Sequence, residues 1–242
     1  MKNPFEPRAV TSRRGGPAKP PLSQEAMVSA ALALLMREGL AGMSLRKVAS
    51  SLETGAASLY AYVESLEELQ ALVCDRGLAE VRTTGSPKLG WQACLVALLN
   101  SYLLVLLQTP GLAQLALRTI AIGPNALRIL EAQLALLEEG GIDRGTAAWA
   151  TDLLTLYVTA IAAEQSERRQ QSNPLGPVAR VMESISAAQY PRIFAAREDL
   201  LSGGPSRASW ALDVLIQGIL QTPRAAQPRP SQRARQKKVS KK

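Results

Sequence analysis

The chain has 242 residues and a formal net charge of +8; 47% of it is hydrophobic, only 4% is aromatic, and histidine is absent. The lack of histidine excludes imidazole acid–base chemistry and His-containing metal sites, and two cysteines, Cys74 and Cys94, are too few for a zinc cluster. An apolar fraction built on Ala and Leu, with little β-branched alternation, predicts an all-α protein of one or two domains.

The charge is unevenly placed. Residues 1–22 hold five basic residues and one acid, Thr222–Lys242 holds eight and none, and the stretch between is net −4. Rich in Pro, Gly and Arg, residues 1–22 and 223–242 are expected to be disordered basic arms. Between them, Ser23 is the N-cap of a first helix that turns Ala30, Ala31, Leu34 and Leu35 inward and stops at Gly39. Ser44 to Val63 then reads SLRKVASSLETGAASLYAYV, two short helical patterns split by a turn. Leu45, Val48, Ala49 and Leu52 form the first buried stripe, and Gly55 is the expected left-handed residue of the turn. The second pattern buries only Leu59 and Val63, which leaves Ala56, Ala57, Ser58, Tyr60, Ala61 and Tyr62 outside. Small residues let a helix backbone approach base edges in a major groove, and tyrosine hydroxyls suit phosphates. The same spacing also occurs at an ordinary bundle corner.

Ser65-Leu66-Glu67-Glu68 matches a capping box and opens a helix running toward Val81. Thr83 to Gly90 reads as a linker, and further helical patterns cover about 91–108, 112–122, 125–139, 145–170, 178–200 and 206–221. The apolar run Ala93–Leu107, interrupted by Asn100 and Ser101, is shorter than the roughly 20 residues of a membrane span and reads as a buried helix. No apolar leader follows Met1, so a cytoplasmic setting with reduced, buried cysteines and no membrane partner is expected. The organisation is a head over 23–72 and a body over 73–222. Asn100, Tyr102, Thr119, Gln133, Asp152, Thr155 and Glu164 interrupt apolar body helices, the composition of a small-molecule pocket. With no nucleophile–base pair, glycine-rich phosphate loop or metal cluster in the pattern, no enzymatic activity, cofactor or metal is expected.

MSLRKVASSL, TGAASLYAYV and SLEELQALV together resemble the DNA-binding head of the tetracycline-repressor (TetR) family of bacterial regulators. LEAQLALLEEGGI (130–142), LYVTAIAAEQ (156–165) and RASWALDVLIQGIL (207–220) are similar to the ligand-binding body of the tetracycline-repressor subgroup. The resemblance implies a three-helix head, a helical body, and a homodimer held by a four-helix interface on a palindromic double-stranded DNA operator. It gives Arg46 a base-reading position, Ala56, Ala57, Ser58, Tyr60 and Ala61 groove-facing ones, and Ser44, Lys47 and Tyr62 phosphate-facing ones. Tyr102, Thr119, Gln133 and Glu164 fall on positions that line the subgroup's ligand cavity.

Two departures qualify that likeness. Leu66 stands where the family often has a phosphate-gripping lysine, and Ala116 where tetracycline repressors have the histidine that helps hold the drug's magnesium. The effector is therefore expected to be something other than a metal–tetracycline complex, and more apolar. From Ser23 to Asp75 there are three basic and seven acidic residues, so nonspecific phosphate attraction is left to the arms. The implied function is a ligand-responsive transcriptional regulator, a repressor released by a small molecule. The alternative is a non-sequence-specific nucleic-acid-binding or architectural protein driven by its basic ends.

Overall fold

The computed structural model describes residues 3–6, 22–85, 88–169 and 176–224; most of both basic arms, and their expected disorder, lies outside these residues. Among the described residues there are eleven α-helices. The first four are α1 (Gln24–Glu38), α2 (Leu45–Ser51), α3 (Ala56–Leu59) and α4 (Leu66–Gly77). A larger set follows: α5 (Trp91–Gln108), α6 (Leu112–Arg118), α7 (Pro124–Glu139), α8 (Arg144–Arg169), α9 (Gly176–Ser184), α10 (Pro191–Leu201) and α11 (Gly204–Gln221).

Serines start three of the first four helices. The hydroxyl oxygens of Ser23, Ser44 and Ser65 accept from the N–H groups of Ala26, Lys47 and Glu68 at 3.1, 3.3 and 3.2 Å. Each cap satisfies one of the donors that a helix start leaves open. The Glu68 carboxylate completes its box by accepting from the Glu64 N–H, one residue before the cap. α1 ends as its sequence suggests, at Gly39 with φ +66°.

The turn from α2 to α3 differs from expectation. Gly55 has φ −78° and is simply the residue before α3, whereas Glu53 takes the left-handed conformation at φ +49°. Leu52 caps α2, the Thr54 N–H reaches the Ala49 carbonyl at 2.9 Å, and the Glu53 N–H reaches Ser50 at 3.0 Å. This is a Schellman ending, and it demands positive φ two residues before the glycine.

Met27, Ala31, Leu34 and Leu35 of α1 are buried with Val48, Ala49, Leu59, Val63, Leu69 and Val73 in the head. In the body, α5 packs against α7 and α8, α6 against α8, and α11 against α8. By length and composition α5 and α8 could cross a membrane, but here they pack together, with Leu95, Leu99, Leu106 and Leu154 fully buried. α4 packs against α1 and also against α6 and α7, so the boundary expected at residue 72 falls inside a helix shared by head and body.

Three element boundaries are corrected. α4 stops at Gly77 rather than near Val81, and α6 at Arg118 rather than 122. The single helix expected over 178–200 is two, parted by a turn at 185–190, and Pro191, which has no N–H to offer a ladder, begins α10.

Replacing Glu53 with glycine removes the steric cost of the left-handed conformation. Glu53→Gly is expected to stabilise the fold by up to about 1 kcal/mol. Thermal or urea denaturation checks this, and an unchanged or lower midpoint contradicts it.

Candidate functional site

α3 is a single turn of four residues. Leu59, with no exposed surface, anchors it, while Ala57, Ser58, Tyr60 and Ala61 are exposed and Ala56 is half-buried. Arg46 and Lys47 project from the first turn of α2 into solvent, beside the half-buried cap Ser44. The Lys47 ammonium pairs with Glu38 at 2.7 Å, and Arg37 holds the other carboxylate oxygen at 2.6 Å. These two donors, Lys47 foremost, keep the Glu38 carboxyl below the usual carboxylate range. Exposed pairs of this kind add little stability, so Lys47 can exchange Glu38 for another anion at small cost.

Tyr62 corrects the sequence reading. Tyr60 is 56% exposed, but Tyr62 is buried and its hydroxyl donates to the Leu22 carbonyl just before α1. The bond fastens the end of the α3 segment to the start of α1, so Tyr62 is a strut of the head and not an outward phosphate contact. Tyr62→Phe leaves that carbonyl without its donor and should cost about 1 kcal/mol. Tyr60→Phe should leave stability unchanged. Denaturation of both variants checks the pair.

The second site is a cavity of about 450 Å³ bordered by α5–α8 and the end of α4. Leu78, Ala116, Leu117, Ile120, Ile129 and Leu156 form much of its apolar wall, and Tyr102, Thr119, Gln133, Thr151, Asp152, Thr155 and Thr159 its polar part. The hydrogen bonds there have a direction. Thr159 Oγ1 donates to the Thr155 carbonyl at 2.7 Å, which uses its only proton. In the 2.9 Å contact between Tyr102 and Thr159 the tyrosine must therefore be the donor. Burial pushes the Tyr102 phenol up to about 12, so it keeps that proton at physiological pH. Gln133, 2% exposed, donates from Nε2 to Thr155 Oγ1 at 3.2 Å. The Tyr102 oxygen can then only accept from a molecule in the cavity.

The cavity thus brings together Tyr102, Thr119 and Gln133, but not Glu164. Glu164 is exposed and pairs with Arg168 at 2.7 Å. The cavity residues of α8 recur at 151, 155 and 159, whereas Glu164 lies five residues past Thr159, about 140° around the helix. Asn100 is exposed and lines a separate groove on α5. Thr151 and Thr159 went unnoticed in the sequence; the signal was a four-residue recurrence of threonine along one helix face.

A helix-turn-helix head whose outer turn is small and exposed, on a body that carries a partly open cavity, defines a one-component DNA-binding regulator. The model of the tetracyclin repressor-like C-terminal domain matches residues 83–222. An HTH-type transcriptional regulator of Saccharopolyspora erythraea is 33% identical over 177 residues, 72% of this chain and 75% of that protein. The HTH-type transcriptional repressor DrrR1 of Streptomyces coeruleorubidus is 28% identical over 214 residues, 83% of this chain and 78% of that one. Apo ActR of Streptomyces coelicolor shares the fold with a TM-score of 0.77 at 32% identity, covering 84% of this chain and 97% of ActR. The chain belongs to the TetR family of transcriptional regulators.

Proposed function

We propose that this regulator represses transcription as a homodimer on a palindromic operator and leaves it when a small molecule fills the body cavity. The cavity carries this reading: apolar walls with a few convergent polar groups are how small-molecule sites are built. Similarity supports it, since DrrR1 is named a repressor and ActR has been solved with actinorhodin bound. Occupied and empty cavities would favour different spacings of the two heads, and the difference in affinity between them is the whole of the switch.

In this reading Arg46 pairs with a guanine edge, Ala56, Ala57, Ser58, Tyr60 and Ala61 face the groove, and Ser44 and Lys47 face phosphates. Tyr102, Thr119 and Gln133, together with Thr155, meet the effector. A ligand that donates to Tyr102 and is otherwise apolar fits the cavity. Ala116 in its wall offers no ligand for a metal, which speaks against a metal–tetracycline complex.

The dimer follows from the outer faces of α8 and α11. Ala150 and Leu154 of α8 and Ile219 of α11 are spent on the subunit's own core. Trp149, Leu153 and Leu156 of α8, with Trp210 and Val214 of α11, stay exposed at helical spacing. Two such adjacent stripes, met by a second copy, make a four-helix contact whose two-fold axis matches a palindrome.

Selection of bound duplexes from random-sequence DNA tests the reading. Arg46→Ala should weaken the selected duplex by about 1–3 kcal/mol and relax one position per half-site. Lys47→Ala should weaken all sequences alike. Unchanged sequence preference in Arg46→Ala would remove that residue from base reading. For the cavity, metabolites and antibiotics are screened for release of the duplex. Gln133→Leu should then impair release by the active compound while operator affinity holds. Equal loss of melting temperature and DNA binding would make Gln133 structural only.

A further inference from the structure

Two charged side chains cross the seam between α4 and α7 in opposite directions. Asp75, in the last turn of α4, is 5% exposed. Its Oδ1 accepts from the Ala126 N–H at 2.9 Å and its Oδ2 from the Asn125 side-chain amide at 3.0 Å. α7 begins at Gly123 and Pro124 with no side-chain cap of its own. Asp75 takes that place from another helix, a negative charge at the positive end of the helix dipole. In return Arg128 of α7 donates to the Ala79 and Val81 carbonyls at 3.1 and 2.8 Å and to the Thr83 hydroxyl at 3.1 Å. Those groups belong to the chain leaving α4. The fit is close, since a β-carbon on Gly123 would run into the Asp75 carboxylate and the Phe5 ring.

We infer that this reciprocal clamp is the joint through which head and cavity sense each other, with Asp75 and Arg128 as its positioning residues. The same residues face both ways. Ala126 gives its N–H to Asp75 and also lines the cavity, as does Leu78 directly after α4. Beyond the clamp, α4 packs along α1 in the head. Charge-assisted bonds to helix ends are directional, so a shift of α7 is handed to α4 rather than absorbed between them. The inference rests on the reading that the body regulates the head, and it names the contact that carries the regulation.

The test uses the full-length protein and a duplex selected from random-sequence DNA, with amide hydrogen exchange followed at 74–83 and 123–133. In the unaltered protein the duplex should slow exchange at 123–133, in the body, by roughly threefold or more. In Asp75→Ala and Arg128→Gln that remote response should vanish while slowing within the head persists. A merely structural pair would lower the melting temperature and leave the response to DNA in place. A response at 123–133 that survives in Arg128→Gln, or is absent from the unaltered protein, overturns the joint. Arg128 is an exposed residue, so its variant decides the matter even if Asp75→Ala does not fold. DNA is the probe throughout. Failure to find any molecule that fills the cavity would therefore count against the effector and leave this result standing.

Discussion

Within twelve residues α4 has to serve two bodies of packing at once. Leu69, Leu72, Val73 and Cys74 are buried along it, while its end meets α7 through Asp75 and α6 through Gly77, where a β-carbon would collide with Leu112. Burial there pushes the Cys74 thiol up to about 12, the state of a small apolar filler and not of a reactive group. A helix fixed along its length by two sets of neighbours cannot tilt in one without disturbing the other. The orientation of α1–α3 relative to α5–α8 is therefore a property of α4, and the rest of the molecule is arranged around that constraint.

The proposed reading surface is small for a related reason. α3 has four residues and one fully buried anchor, so little of its own packing holds it. Stability is supplied from outside by the α2–α3 turn, by Val63, and by the Tyr62 hydroxyl on Leu22. That support frees Ala57, Ser58, Tyr60 and Ala61 from packing duties. Short side chains on a helix held from behind allow its backbone to come near another surface, and the tyrosine supplies a longer reach at one edge.

What was legible in the sequence was what depends on neighbours a few residues away. The serine caps at 23 and 65, the stop at Gly39 and the extent of Trp91–Gln108 are set by local donors, acceptors and periodicity, and they read correctly; the equally local cap at Ser44 was passed over. The left-handed residue was misplaced because a Schellman ending is counted from the last turn of α2, not from the nearest glycine. Tyr60 and Tyr62 could not be told apart in a helix too short to show a face. That Tyr102, Thr119 and Gln133 line one cavity could be anticipated only through the family resemblance, which carries three-dimensional information that spacing alone lacks. Asp75 and Arg128 were invisible as partners. Each bonds across about fifty residues of chain, and in the sequence Asp75 was only one more acid in an acidic head.

That acidity bears on how the protein finds its site. With three basic and seven acidic residues from Ser23 to Asp75, the head offers bulk DNA little electrostatic reward. A genome presents on the order of a million or more competing sites, and a regulator that clings to all of them is diluted away from its target. A head that holds poorly to arbitrary sequence adds little to such decoy binding. The protein's hold on bulk DNA then falls to the cationic segments 1–22 and 222–242, and so to the salt around them.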